Sequence, residues 1–103
     1  MPLEPRDHRI SLEAASEQTR RHRESMGAGG TKGGAFRREA LDEILRQPGC
    51  VGIRFYYGVN DKGEPSLVLV GVGDDDNDMM QGALMDTIFP CPPFCGDGNS
   101  LNS

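Results

Sequence analysis

The run Asn60-Asp61-Lys62-Gly63 constrains this chain more than any other stretch, because it separates two apolar runs and specifies a turn. Asn suits the first turn position and Gly takes positive φ without steric cost, which favours a type I turn closed by a left-handed residue. Before it, Val51, Ile53, Phe55, Tyr57 and Val59 alternate with Gly52, Arg54, Tyr56 and Gly58. That period of two marks a strand with one apolar face. Residues 50–73 therefore read as a β-hairpin. Placing Asn60 opposite Gly63 pairs Phe55 with Val68, Ile53 with Val70 and Val51 with Val72, all on one face. The reverse face then carries Tyr56 opposite Leu67, Arg54 opposite Leu69, and Gly52 opposite Gly71. Two facing glycines mark either a bare floor where another backbone can come close or a weak, twisted end of the ribbon.

The segment before the hairpin supplies a partner for its apolar face. Phe36, Ala40, Leu41, Ile44 and Leu45 recur at helical spacing, with Arg37, Arg38, Glu39, Asp42 and Glu43 opposite them. A helix over about 36–46 follows, and Pro48 and Gly49 stop it. Laid across the hairpin it makes a small two-layer α+β unit, which is what a two-stranded ribbon needs to be stable.

The amino-terminal third is weaker. Residues 1–10 lack an apolar period. Ser11 is placed to cap a helix to about Met26, whose apolar seam is only Leu12, Ala15, Thr19, His22 and Met26. Such a helix is loosely attached or docks on a partner. The run 27–34 superficially resembles a phosphate-binding loop, but Lys32 precedes glycine and the flanking elements are helical, so a flexible hinge is the reading. The expected organisation is a flexible region over 1–34 and a helix-hairpin domain over 35–103.

Composition limits the core. The hydrophobic share is 36%, with 14 Gly and 7 Pro, and about 65 packable residues yield only about 3–5 kcal/mol without help from metals, disulfides or partners. Residues 1–49 carry nine Lys/Arg against eight Asp/Glu, and residues 50–103 two against eight. The acidic second half argues against nucleic acid and against anionic membranes. No apolar run is long enough to span a bilayer and no signal-type apolar core follows Met1, so a cytoplasmic location is expected. The odd count of three cysteines fits a reducing compartment.

After the hairpin, Asp74-Asp75-Asp76-Asn77-Asp78 begins like a calcium loop, but Met79 and Met85 stand where Gly and Glu belong; a solvated acidic turn is expected. Residues 79–89 suit a short helix or a third strand. The tail Pro90-Cys91-Pro92-Pro93-Phe94-Cys95-Gly96 is stiff and extended. It is expected to strap the hairpin's reverse face, with Phe94 as anchor. Its thiols open another possibility: Cys50, Cys91 and Cys95 holding an iron–sulfur cluster or zinc, or Cys91 and Cys95 cycling between dithiol and disulfide.

The pieces QPGCVGIR and PCPPFC resemble those of a group of small bacterial proteins with a hairpin and a terminal PCPPxC segment, over roughly the last 60 residues. That group has no assigned activity, so the resemblance implies kinship alone. A fainter likeness is to A-type iron–sulfur carriers, which use three cysteines, although their terminal pair is separated by one residue and Cys91 and Cys95 by three. The leading expectation is a non-enzymatic, self-associating structural or interaction protein, a homo-oligomer forming a ring or filament. Its interface would use Gly52, Arg54, Tyr56, Leu67, Leu69, Gly71 and Phe94. Acid–base catalysis is disfavoured, because the carboxylates fall in exposed runs and the only histidines, His8 and His22, lie in the weakest part of the chain.

Overall fold

The structure, a computed structural model, describes residues 3–27 and 29–103. It is a small α+β fold of two helices and two antiparallel sheets. The elements are α1 (Leu12–Met26), β1 (Gly33–Ala35), α2 (Arg38–Leu45), β2 (Cys50–Val59), β3 (Pro65–Gly73), β4 (Leu84–Met85) and β5 (Phe89–Cys91). Two units result, one of Phe36–Ile88 with residues 3 and 4, the other of Pro5–Ala35 with Phe89–Ser103.

In the first unit the strand order is β2-β3-β4, so β3 is central. The hairpin turn has the expected chemistry: Gly63 N–H donates to the Asn60 carbonyl at 2.9 Å and Gly63 sits at φ 80°. The Asn60 side chain also accepts from the Lys62 and Glu64 amides, each at 2.9 Å.

The register differs from the expected one by a single residue. Asn60 N–H donates to the Glu64 carbonyl, so Asn60 lies opposite Glu64 and not Gly63. The left-handed glycine is an extra residue in the loop, as in a type I turn with a G1 bulge. Because side chains alternate, a one-residue slip exchanges faces along one strand. Phe55 now pairs with Leu69, Tyr56 with Val68, Arg54 with Val70, Ile53 with Gly71 and Gly52 with Val72. Gly52 and Gly71 therefore do not face one another, and the expected bare floor is absent. A second irregularity between Cys50 and Gly52 ends the regular ladder.

Central placement buries β3 on both faces. Leu69, Val70 and Val72 are core residues, and Gly71 and Gly73 are buried with them. From α2 only Ile44 joins them, fully buried. The helix ends where predicted: Cys50 N–H bonds to the Gln47 carbonyl across Pro48 and Gly49, the latter at φ 82° as a type II turn requires. Gln47 then turns inward. Its amide donates to the Ile44 carbonyl and accepts from the Ala83 N–H.

The stretch 79–89, open between helix and strand, provides β4, pairing Leu84 with Val70 and Met85 with Leu69. The acidic run 74–78 is a tight turn in which Asp76 adopts φ 69° and accepts from the Leu3 N–H. Asp78 bridges to Val72 on the β3 edge away from β2.

In the second unit α1 begins as predicted, with the Ser11 hydroxyl accepting from Ala14 N–H at 3.0 Å. No α1 residue is buried. Its partner is the tail: the Ser16 and Ser100 hydroxyls are 2.6 Å apart, and Arg23 donates to the Leu101 carbonyl. The expected hinge holds a strand, since β1 pairs with β5 (Gly33 with Cys91, Ala35 with Phe89). The tail is extended only over Phe89–Cys91, where it pairs with β1 rather than strapping the hairpin. It then turns, with Phe94 N–H donating to the Pro90 carbonyl and a disulfide joining Cys91 to Cys95, so the extended reading of 90–96 gives way to a short strand and a closed turn within this unit.

Candidate interaction surface

The outer edge of β2 has no strand partner among the described residues. Its exposed backbone groups follow from the turn. Asn60 N–H points to β3, and antiparallel hydrogen bonding alternates, so Gly58, Tyr56, Arg54 and Gly52 also direct their N–H and C=O toward β3. Ile53, Phe55, Tyr57 and Val59 direct theirs outward. These four side chains share one face, and three of them are exposed: Phe55 at 54%, Tyr57 at 86% and Val59 at 74%. The Phe55 and Tyr57 rings meet edge to face at 5.7 Å. A row of unpaired amides therefore runs beside a row of apolar side chains.

The other face of β2 is held by a polar cluster. Arg54 donates to an Asp78 carboxylate oxygen at 2.5 Å and to the Asp76 carbonyl at 3.3 Å. The Tyr56 hydroxyl donates to the second Asp78 oxygen at 2.5 Å. Since Asp78 sits on the far side of β3, the cluster clasps Val70 and Val72 under it. The hydrogen bonds from Tyr56 and Arg54 hold the Asp78 carboxyl below its ordinary value, and Asp78 in turn raises that of the Tyr56 hydroxyl.

A carboxyl whose folded-state value is lowered stabilises the fold above its unfolded value, and that contribution is lost as pH falls below about 4 through the folded value. Asp78→Asn is therefore expected to melt at a lower temperature than the unmutated chain at neutral pH, with the gap closing toward about pH 2. Thermal melts across that range check it; an unchanged gap at low pH would refute the linkage.

Of the residues expected at an interface, Tyr56 is exposed, Arg54, Gly52 and Leu67 are half-buried, and Leu69 and Gly71 lie in the core. The slip in register moves Leu67, Leu69 and Gly71 to the face of Tyr57, Phe55 and Ile53. Phe94 is exposed in the second unit, where its ring packs edge-on against Phe89 at 5.2 Å. Asp78 was hidden in an acidic run. Arg54, a lone cation within an apolar strand, was the available sign that a counter-charge had to lie over the sheet.

The structure pairs two of the three cysteines. Cys91 and Cys95 are joined in a disulfide, and Cys50 is a free thiol of the other unit, donating to the Gly52 carbonyl. No group of three or more His, Cys, Asp or Glu side chains gathers with metal-binding geometry among the described residues. With two of three thiols paired, the odd count no longer argues for a reducing compartment.

Comparison of the chain with protein-family models, with curated proteins and with solved structures finds no match.

Proposed function

We propose that this protein is a non-enzymatic interaction or structural protein that self-associates through the sheet of its first unit. The supporting observation is the ten-residue β2, unpaired along its outer edge and bearing exposed Phe55, Tyr57 and Val59. Long apolar edges template pairing with another chain, and proteins that stay monomeric blunt them with Lys, Pro or a covering element. β2 contains neither residue.

Stability points the same way. The described core holds four buried apolar side chains, Ile44, Leu69, Val70 and Val72. Burial contributes about 1.5–3 kcal/mol for each such side chain, whereas ordering one residue costs about 1–2 kcal/mol in backbone entropy alone. Covering the β2 strip adds burial with little further ordering.

Light scattering and sedimentation of the full chain are expected to show a concentration-dependent species of twice the monomer mass at micromolar concentration. A monomer across that range would overturn the proposal.

A further inference from the structure

We infer that the partner of β2 is the β2 of a second copy, paired antiparallel about a two-fold axis that passes beside Tyr56. This rests on the self-association proposed above and specifies its surface and register.

The register follows from where outward-facing backbone begins and ends. The turn stops β2 beyond Val59, and the irregularity between Cys50 and Gly52 stops the regular ladder before Ile53. Between them only Ile53, Phe55, Tyr57 and Val59 offer outward N–H and C=O. These four are centred on Tyr56, so one symmetric antiparallel register uses all of them: Ile53 opposite Val59 of the second copy, and Phe55 opposite Tyr57. Each such hydrogen-bonded pair exchanges two bonds, for about eight across the interface. A shift of the axis by one residue in either direction leaves outward groups unpaired.

Side chains accept this register. Phe55, Tyr57, Ile53 and Val59 of both copies form one apolar ladder, and aromatic pairs across strands are favourable contacts. Arg54 is the only charged residue of β2 and is already paired with Asp78. In this register it faces Gly58 of the second copy, so no like charges oppose one another, despite the net charge of −5 on each chain. The exposed fractions of Phe55, Tyr56 and Tyr57 (54%, 48% and 86%) correspond to on the order of 400 Å² of aromatic surface per copy, about half of the ~800 Å² per partner in a standard interface.

The assembly closes at two copies. Joining β2 to β2 makes a continuous six-stranded sheet whose remaining edges are the two β4 strands, each of two residues, and beyond each the short stretch of β3 that begins at Pro65. Edges so short are among the devices that prevent further pairing. A closed dimer replaces the ring or filament expected from the sequence.

Two substitutions in the full chain test the pairing. Tyr57→Pro removes one outward N–H per copy and leaves the bonds to β3 intact, a position that tolerates proline on an edge strand. It is expected to raise the dimer dissociation constant by about 30- to 100-fold. Tyr56→Cys puts two thiols on the axis, where opposed α-carbons of a non-hydrogen-bonded pair lie about 4.5 Å apart, within disulfide reach. Mild oxidation is expected to give a covalent dimer with Tyr56→Cys. It is expected to give none with Gly58→Cys, whose counterpart is Arg54, and none with the unmutated chain. Equal cross-linking by both cysteine variants, or by neither while light scattering still reports a dimer, would overturn the β2 pairing and leave self-association standing. A monomeric unmutated chain would overturn both.

Discussion

Replacing Ile44 with Ala is expected to leave the first unit mostly unfolded at 25 °C. Ile44 is the one residue of α2 that is fully buried, and with Val72 it is one of two large side chains among the described residues wholly removed from solvent. Truncating such a residue costs about 2–5 kcal/mol, because the lost transfer free energy is compounded by the cavity left behind. A core of this size supplies only about 3–5 kcal/mol in total. The substitution therefore consumes most of the margin. The helix is also what turns a marginal ribbon into a stable layer, so the hairpin should fray with it and any assembly through β2 should weaken in parallel. The neighbouring Leu45 is 49% exposed, and Leu45→Ala should change stability by about 0.5 kcal/mol or less. Urea denaturation followed by circular dichroism separates the two. Equal midpoints for Ile44→Ala and the unmutated chain would mean that α2 is not anchored as described.

What the sequence disclosed here was local. Asn60 and Gly63 specified their turn, Ser11 its cap, and Pro48-Gly49 the end of α2, because each acts through its own backbone or its nearest neighbours. Register was not disclosed in the same way. Whether Gly63 pairs or is bulged out depends on a single hydrogen bond, from Asn60 N–H to Glu64 or not, and both arrangements use the same turn residues. The consequences were large, since the slip carries Leu69 and Gly71 from a supposed surface to the core. The burial of β3 on both faces was also obscure, because its second neighbour is a two-residue β4 in a stretch with no clean period. The β1–β5 pairing was hidden for a related reason: Gly33 and Gly34 carry no side chains to show a pattern. The fate of Cys91 and Cys95 was left among several chemistries, because spacing alone does not distinguish a small-loop disulfide from a pair of ligands. The apolar strip of β2 was the part of the candidate surface that could be read directly, yet it was assigned to the core face, since a lone hairpin offers no way to know that α2 covers only part of it.

The two glycines that the sequence placed face to face should respond oppositely to the same substitution. A Cβ on Gly71 would lie 2.9 Å from the Gln47 side-chain nitrogen, 3.1 Å from the Met79 sulfur and 3.2 Å from the Cys50 sulfur. Met79 and Cys50 have some freedom to move, but Gln47 is fixed by its bonds to the Ile44 carbonyl and the Ala83 N–H. Gly71→Val must displace it. Overpacking costs about 1–3 kcal/mol, and an Ala83 amide stripped of its acceptor adds about 1–3 kcal/mol if it stays out of water. Together these approach the whole stability of the unit, so Gly71→Val is expected to yield little folded protein at 25 °C. A Cβ on Gly52, by contrast, meets nothing within 4 Å. Its backbone needs no left-handed conformation, since Gly52 is absent from the positive-φ residues. A β-branched residue there lowers the entropy lost on folding and suits a strand, so Gly52→Val should leave stability unchanged or raise it by up to about 1 kcal/mol. Under the pairing first expected, with both glycines on one bare floor, the two variants would behave alike. Matched denaturation curves for Gly52→Val and Gly71→Val would therefore count against the observed register, whereas a wide separation with Gly71→Val the weaker can arise only if Gly71 lies beneath Gln47 and Gly52 lies open.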